Sequence, residues 1–229
     1  MLINLKYFQA DQDELPIESE LPFELKGTEY SLQCKFCGTK NGCMPLTKNT
    51  FSRDGEKIVE LNSYEKGVGI CTQYACLDCL RKRKYEYRHK TELGILRESG
   101  FTALDHHTGH YKMIEQPSQI SQESIEELRI TPPFRAWQGP CWLTHCNDFM
   151  TYLGIWRFDD FKKNSTDGNA FNYFVQITPK GTAPNYDLDP DTSTDEDFHE
   201  MLHGEFAEAT CYAFRCVHCN SYKVILDNP

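Results

Sequence analysis

Three Cys-x-x-Cys pairs are the strongest candidates for a functional site in this sequence: Cys34–Cys37, Cys76–Cys79 and Cys216–Cys219. Two thiolates three positions apart across a tight turn can both reach one tetrahedral metal ion at about 2.3 Å. The 229 residues include 11 cysteines. In a reducing compartment, paired motifs of this kind indicate metal binding rather than a disulfide framework. The pattern therefore predicts Zn²⁺ as a cofactor.

The first two pairs make up the more complete of two predicted zinc sites, with Cys34, Cys37, Cys76 and Cys79 as its ligands. Gly38 follows the first pair, where a left-handed turn lets backbone N–H groups face the sulfurs. The second pair opens a stretch rich in Lys, Arg, Glu and Leu, and the N-terminus of a helix there would favour thiolates. Four thiolates leave no open coordination position, so this site is predicted to be structural.

The third pair needs two further donors to complete a tetrahedral site. Cys146 is the leading candidate, and His145 or Cys141 comes next. His145 and Cys146 are adjacent, which makes it awkward for both to bind one ion. The spacing between Cys141 and Cys146 is more favourable for joint ligation. Cys211 and His218 are weaker alternatives, and a hairpin with buried thiols and no metal is the remaining one. The predicted ligands of this second site are His145, Cys146, Cys216 and Cys219.

One motif favours an enzyme. His199-Glu-Met-Leu-His203 matches the H-E-x-x-H pattern, in which two histidines on one helix face hold zinc and the glutamate, here Glu200, is the general base. The motif lies in an acidic segment, and no well-placed third ligand follows it. We therefore predict that the protein is not an enzyme and keep a zinc metallohydrolase as a minor alternative.

The charge of the chain indicates its class of partner. The net charge is −10, which repels a nucleic-acid backbone and attracts a basic protein. No apolar run reaches the roughly 18 residues of a membrane span, and the N-terminus lacks the pattern of a secretory signal. The sequence thus predicts a cytoplasmic protein that binds another protein and neither nucleic acid nor membrane. The candidate contact residues are Asp187, Asp189, Asp191, Asp195, Glu196 and Asp197.

The elements that must position these residues are predicted from composition and periodicity. We predict a helix from Leu80 to about Glu98 and a second from Ser121, its N-cap, to about Ile130. Residues 171–178 favour a strand. Residues 185–208 are so acidic that they indicate a solvated loop with about one helical turn. Residues 209–229 predict a strand, a Cys-x-x-Cys turn and a second strand, which is a zinc ribbon hairpin.

These elements together predict an α+β protein in which zinc knuckle and zinc ribbon elements pack against helices. We predict an N-terminal part with the knuckle and helix, residues 1–100, and a C-terminal Trp- and Cys-rich ribbon part, residues 101–229. One compact domain overall is the alternative.

Two segments resemble the CbrC family, which is named for a bacterial colicin-tolerance protein. They are TPPFRAWQGPCWLTHCNDFMTYLG, which begins at Thr131, and YAFRCVHCNSYKVILD, which begins at Tyr212. The N-terminal cysteine pairs also fall where that family has its first cysteines. Where the family often has a further cysteine, four residues after Cys146, this chain has Met150.

The resemblance implies a zinc-binding protein related to immunity proteins, which protect a cell from a toxin. We therefore predict a non-enzymatic immunity or tolerance protein that neutralises a bacterial toxin by binding directly to a basic domain of that toxin. A zinc-ribbon adaptor for a cellular partner is the alternative within the binding class.

Overall fold

Strands and helices are mixed along the chain, which confirms the predicted α+β class. The structure, a computed structural model, describes residues 5–10, 33–40, 43–46, 50–52, 74–92, 94–97, 100–104, 111–114, 120–134, 136, 141–178, 188, 192–203 and 209–227. The strands in these residues are β1 (Cys43–Pro45), β2 (Thr50–Ser52), β3 (Tyr74–Cys76), β4 (Tyr85–Tyr87), β5 (Lys90–Thr91), β6 (Gly94–Arg97), β7 (Gly100–Leu104), β8 (Tyr111–Ile114), β9 (Cys141–Trp142), β10 (Thr144–His145), β11 (Asp148–Phe149), β12 (Thr151–Trp156), β13 (Thr210–Arg215) and β14 (Tyr222–Asp227). The helices are α1 (Leu77–Arg81), α2 (Gln122–Arg129), α3 (Phe158–Asn164), α4 (Ala170–Ile177) and α5 (Asp195–His203). Within the described part of the chain, no helix is long and apolar enough to cross a membrane.

A three-stranded antiparallel sheet with the order β12-β13-β14 carries the C-terminal cysteine pair in its last turn. Cys211 is opposite Leu226 and Tyr212 is opposite Ile225, so successive side chains of β13 point to opposite faces of the sheet. Both faces are covered by apolar residues. Strands β13 and β14 with the turn between them confirm the predicted hairpin.

One face of this sheet packs against buried aromatic side chains. The ring of Phe134 lies 4.4 Å from that of Tyr152 and 5.5 Å from that of Phe214. Trp142 lies 5.4 Å from Phe134, and its indole N–H donates to the carbonyl of Met150 at 2.8 Å. That buried hydrogen bond closes the loop between β9 and β12, so the aromatic core fixes the loop that carries β10 and β11.

The other face is covered by α3, α4 and α5 around a fully buried phenylalanine, Phe198. The centroid of its ring lies 5.2 Å from that of Phe161 and 4.7 Å from that of Phe174. The prediction of a solvated loop over residues 185–208 is therefore wrong where α5 forms. Phe198 and Leu202 are four positions apart, so both lie on one helix face and reach the core. Glu196, Asp197 and Glu200 are exposed.

The predicted strand at residues 171–178 is also wrong, because these residues belong to α4. Asn169 precedes the helix, and its side chain accepts a hydrogen bond from the N–H of Asn172 at 2.7 Å, which is an N-cap. Phe171 and Phe174 are three positions apart and both buried. The spacing of the buried rings, rather than the β-propensity of Phe and Val, decides the structure here.

The predicted helix from Leu80 to about Glu98 is wrong after Arg81. Helix α1 ends at Arg81, and strands β4, β5 and β6 follow. Tyr85, Tyr87 and His89 are buried at every second position, which is the period of a strand. Burial of these rings outweighs the helix propensity of the charged residues between them. The predicted helix that begins after Ser121 is confirmed as α2, with Ser121 accepting from the N–H of Ser124 at 3.0 Å.

Residues 5–10, which we call the N-terminal strap, lie along β12. The N–H of Tyr152 donates to the carbonyl of Tyr7, and the N–H of Gln9 donates to the carbonyl of Tyr152, both at 2.9 Å. Tyr7 and Phe8 are fully buried. The strap therefore satisfies backbone groups on the edge strand of the sheet and adds two aromatic rings to the core.

His89 is a fully buried titratable group in the core. Its Nε2 lies 2.8 Å from the carbonyl of Thr131, to which it donates, and its ring lies 4.9 Å from that of Trp142. Its Nδ1 has no hydrogen-bond partner among the described residues. Burial lowers the pKa of His89 from 6.5 to about 4, so the folded protein holds it neutral.

We expect this histidine to make the fold sensitive to acid between pH 6.5 and about 4. The unfolded chain takes up the proton first, so the free energy of unfolding falls as the pH drops through this window and does not change through this group above it. The shift corresponds to about 3 kcal/mol at the acid end. Urea denaturation of the wild type and of His89→Gln across the window measures the effect.

For each protein, the slope of the free energy of unfolding against pH is measured between pH 6.5 and about 4. Other acid-labile groups are common to both proteins, so a difference between the two slopes is due to the histidine. The free energy of unfolding should fall more steeply in the wild type than in His89→Gln. Equal slopes in the two proteins would contradict the assignment.

Candidate metal centres

The four cysteines predicted for the first site lie together. The Sγ atoms of Cys34, Cys37, Cys76 and Cys79 are all within 4.8 Å of one another, and those of Cys37 and Cys76 are 3.6 Å apart. Three of the four are buried and Cys37 is exposed. We call this group the four-cysteine site.

The two segments of the four-cysteine site are held by backbone hydrogen bonds. Cys34 N–H donates to Thr39 O at 2.7 Å, and Gly38 N–H donates to Cys34 O at 2.8 Å. Gly38 has φ +72°, the left-handed conformation that this turn requires. Cys76 ends β3 opposite Cys43 in β1. The turn and the strand pair thus place the four sulfurs close together.

The electrostatics of the four-cysteine site favour a bound cation. Burial raises the pKa of Cys76 and Cys79, and hydrogen bonds with the other thiols raise that of Cys79 further. Burial alone would raise the pKa of Cys34, but backbone hydrogen bonds at Cys76, Phe36 and Cys37 lower it to about 6. The four donors would not all be thiolates at neutral pH without a positive ion among them, and a divalent metal ion would supply that charge.

Aromatic side chains pack against the residues of the four-cysteine site. Phe36, which lies between the first two ligands, stacks on Tyr85 with ring centroids 5.4 Å apart. The hydroxyl of Tyr85 donates to the carbonyl of Cys76 at 3.3 Å. The ligands therefore form part of a small core of their own with Leu46, Leu80 and the tyrosines of β4.

The structure also brings together the four residues predicted for the second site. The ligand atoms of His145, Cys146, Cys216 and Cys219 are all within 4.8 Å of one another. His145 Nδ1 lies 3.2 Å from Cys146 Sγ and 3.4 Å from Cys219 Sγ. We call this group the cysteine–histidine site.

Adjacent donors can share this site because the chain turns sharply at them. Cys146 has φ +50° and Asn147 has φ +59°, so the two-residue turn between β10 and β11 is left-handed. Asn tolerates this conformation, and the turn brings the side chains of His145 and Cys146 to the same side. The expectation that joint ligation would be awkward is corrected by this geometry.

The hairpin of the cysteine–histidine site repeats the turn of the four-cysteine site. Cys216 N–H donates to Ser221 O at 2.8 Å, and Asn220 N–H donates to Cys216 O at 3.2 Å. Asn220 has φ +61° and stands where the other turn has Gly38. The N–H of His218 also faces the sulfur of Cys216 at 3.4 Å. The sequence thus forms the same candidate metal-binding knuckle twice.

The alternative donors weighed for this site lie elsewhere. Cys141 lies in β9, outside the group, and its pKa is raised to about 11 by burial. Cys211 is buried in the core beneath α3 to α5, where burial raises its pKa strongly. His218 points to Asp148, with its Nε2 3.1 Å from the carboxylate. None of the three joins the group among the described residues.

The cysteine–histidine site is more accessible to solvent than the four-cysteine site. Cys146 and Cys219 are both exposed, whereas Cys216 is buried. The side chain of Ser221, 3.1 Å from the sulfur, is the main reason that the pKa of Cys219 is lowered to about 6. Hydrogen bonding with Cys219 raises the pKa of Cys146 to about 11. One thiolate is thus preformed, and a cation is needed to deprotonate its partner.

A buried carboxylate beside the cysteine–histidine site is a feature that the sequence did not assign. Asp148 accepts hydrogen bonds from Tyr7 Oη at 2.6 Å and from Lys6 Nζ at 3.0 Å. Although burial opposes it, the hydrogen bonds from Tyr7 and Lys6 lower the pKa of Asp148, while burial and the bond to Asp148 raise the pKa of Tyr7 to about 12. The position of Asp148 two residues after Cys146 was the available signal, but nothing local pointed to Tyr7.

The H-E-x-x-H motif does lie on a helix. His199 and His203 are exposed on α5 with ring centroids 5.0 Å apart, and Glu200 is exposed beside them. His199 also packs against Phe158 at 4.9 Å. Among the described residues, no group of three or more metal donors includes either histidine.

Two of the acidic residues predicted to contact a partner have local structural roles. Asp195 accepts from the N–H of Phe171 at 2.8 Å, which ties α5 to α4. Asp197 accepts from the N–H and hydroxyl of Thr194, both at 2.8 Å, at the start of α5. Glu196 is exposed. The other three candidates, Asp187, Asp189 and Asp191, lie outside the described residues.

A comparison with protein families finds one match that covers most of the chain. The model described as "Uncharacterised protein family (UPF0167)" matches residues 25–228. The matched range includes both candidate metal-binding knuckles and begins after the N-terminal strap. No solved structure matches the chain.

Proposed function

We propose that this chain, which belongs to the uncharacterised protein family UPF0167, binds zinc and acts by binding a protein partner rather than by catalysis. The observation that carries the metal part of the proposal is the pair of four-donor groups, each with its ligand atoms within 4.8 Å. The partner part rests on charge and on resemblance.

Zinc is the metal that suits both donor sets. Tetrahedral sites of four cysteines, or of three cysteines and one histidine, are typical of structural Zn²⁺. Tetrahedral bonds of about 2.3 Å place neighbouring sulfurs about 3.8 Å apart. The 3.6 Å between Cys37 Sγ and Cys76 Sγ is close to that value. Neither site would need a large rearrangement to hold the ion.

The proposal of a non-catalytic role follows from the coordination that the protein supplies. A catalytic zinc site keeps a position open for water or substrate, with three protein ligands. Here each group offers four protein donors, which would fill the coordination sphere. The ions are therefore proposed to hold loops in place and to leave the surface around them for binding.

The proposed partner is a basic toxin domain, and the protein is proposed to be an immunity or tolerance protein. The segments around the ligands of the cysteine–histidine site resemble the CbrC family, whose name links it to colicin tolerance. The net charge of −10 favours a basic partner, since complementary charge raises the rate of association. Exposed acidic residues such as Glu196 on α5 would take part in the contact.

We expect the purified protein to contain two zinc ions per chain. Native mass spectrometry with elemental analysis counts the ions and identifies the metal. Cys79→Ser and Cys219→Ser, one in each site, should each remove one ion, whereas Cys211→Ser, outside both sites, should remove none. A metal-free protein, or one whose ion count ignores both ligand substitutions, would refute the metal part of the proposal.

The partner is tested by co-expressing the protein with a basic bacterial toxin domain, taken from the neighbouring gene where that gene encodes one. Co-expression should protect cells, and the complex should weaken as salt screens the charges. Glu196→Lys on α5 should weaken it, whereas Glu123→Lys, an exposed acidic residue on α2, serves as the matched control. Protection lost in Glu200→Ala with binding intact would favour a metallohydrolase, and binding of a cellular protein instead would favour an adaptor.

A further inference from the structure

We propose that the N-terminal strap positions the cysteine–histidine site and retains its metal, through Tyr7 and Asp148 as positioning residues. The inference rests on the proposed metal-binding function and adds to it a segment that lies outside the range matched by the family. It assigns different means of retention to the two sites. The four-cysteine site is held by its own core, and the cysteine–histidine site is held from the N-terminus of the chain.

The strap is docked by specific contacts. Besides the backbone bonds to Tyr152, the hydroxyl of Thr151 donates to the carbonyl of Lys6 at 2.8 Å. Phe8 packs on Tyr152 with ring centroids 5.5 Å apart, and Tyr7 meets Phe149 at 5.7 Å. The hydrogen bonds from Lys6, Tyr7 and Thr151 each span more than 140 positions of sequence. The strap therefore joins parts of the chain that the hairpin alone would not restrain.

Tyr7 and Lys6 meet at one buried carboxylate. Tyr7 Oη donates to one oxygen of Asp148 at 2.6 Å, and Lys6 Nζ donates to the other at 3.0 Å. The N–H of Phe149 donates to the first oxygen at 2.9 Å and sets its direction. A buried carboxylate with this many donors has one orientation, because any other would leave a charge unpaired in the core.

That carboxylate contacts both segments that supply the donors of the cysteine–histidine site. Asp148 follows Cys146 by two residues, at the start of β11. His218 lies between Cys216 and Cys219 and places its Nε2 3.1 Å from the Asp148 carboxylate. Asp148 thus links the turn that bears two donors to the hairpin that bears the other two, and Tyr7 holds Asp148 in place.

The exposure of the site makes this support important. Two of its cysteines face solvent, so few packed neighbours keep the donors together. Outer groups that orient metal ligands typically change metal affinity by about 10- to 100-fold when they are removed. A hydroxyl that fixes the shared carboxylate belongs to this class, although it lies on a segment far from every ligand in sequence.

The test uses Tyr7→Phe, which removes the hydroxyl and keeps the ring against Phe149. The cadmium-substituted protein gives one ¹¹³Cd resonance per site, and the two donor sets are resolved by their shifts. We expect Tyr7→Phe to shift the resonance of the cysteine–histidine site and to speed metal loss from that site to EDTA by about tenfold, with the four-cysteine site unchanged. Asp148→Asn should have a similar or larger effect at the same site.

The matched control is Tyr173→Phe, which removes a half-buried phenol hydroxyl on α4. It should leave both sites as in the wild type. Unchanged metal loss in Tyr7→Phe, or equal acceleration at both sites, would overturn the inference while the metal-binding proposal stands. A wild-type protein with no metal at the cysteine–histidine site would overturn both.

Discussion

Replacing Cys76 with serine is expected to release one zinc ion per chain and to unfold the small core around the four-cysteine site. Cys76 is buried at the end of β3, and the chain enters α1 directly after it. A serine hydroxyl is a poor zinc ligand, and the three remaining thiols would lose the cation that offsets their charge. Structural zinc contributes folding free energy outright, about 10–16 kcal/mol of binding in small zinc domains.

The expected loss of stability is above about 4 kcal/mol, the range in which loss of a metal site falls. Native mass spectrometry counts the ions, and urea denaturation is followed by near-ultraviolet circular dichroism, to which the buried rings of Tyr85 and Tyr87 contribute together with the other ordered aromatic side chains. Both rings are fully buried beside the site. The zinc bound at the cysteine–histidine site should remain, because none of its donors belongs to this core among the described residues.

Cys43→Ser is the matched control for this prediction. Cys43 lies opposite Cys76 in the strand pair but outside the four-donor group, and its thiol donates to the carbonyl of Thr39 at 3.2 Å. A serine can make the same hydrogen bond. This variant should keep both ions and most of the stability, and a Cys76→Ser protein that keeps two ions would contradict the site.

The sequence was sufficient to predict the metal-binding groups because ligand spacing is a local property. A Cys-x-x-Cys pair with a left-handed residue after it, Gly38 or Asn220, has few ways to fold around an ion. The N-cap at Ser121 was predictable for the same reason, since its partner lies three residues away. For the four-cysteine site, the need of a tetrahedral ion for four donors also indicated that the two N-terminal pairs meet, whereas for the cysteine–histidine site several donors remained possible from the sequence.

The wrong predictions have one physical cause, which is that tertiary burial overrides local propensity. The charged residues between Tyr85 and His89 favour a helix, but the aromatic side chains need a strand to reach the core together. Residues 171–178 favour a strand by composition, but Asn169 caps a helix and two phenylalanines share its inner face. Tyr7 was not predictable at all, because its partner Asp148 is 141 positions away.

Phe198→Ala is expected to destabilise the protein by about 3–5 kcal/mol, the usual range for removal of a buried aromatic ring. The ring is fully buried and lies within 6.1 Å of four other phenylalanine rings, centroid to centroid. These rings belong to α3 and α4, so the cavity would form where three short helices meet. Urea denaturation of the zinc-loaded protein measures the change in the free energy of unfolding.

The matched control lies two positions away on the same helix. Glu200 is exposed, and alanine is a strong helix former, so Glu200→Ala should change stability by less than about 0.5 kcal/mol. The two variants, Phe198→Ala and Glu200→Ala, thus compare the buried face of α5 with its exposed face.

If the exposed acidic face of α5 binds a basic partner, Phe198→Ala should weaken that binding only by altering the position of the helix. Glu196→Lys should weaken it by removing a negative charge, and that effect should depend on salt. A Phe198→Ala protein as stable as the wild type would mean that α5 lies on the surface without anchoring the three helices.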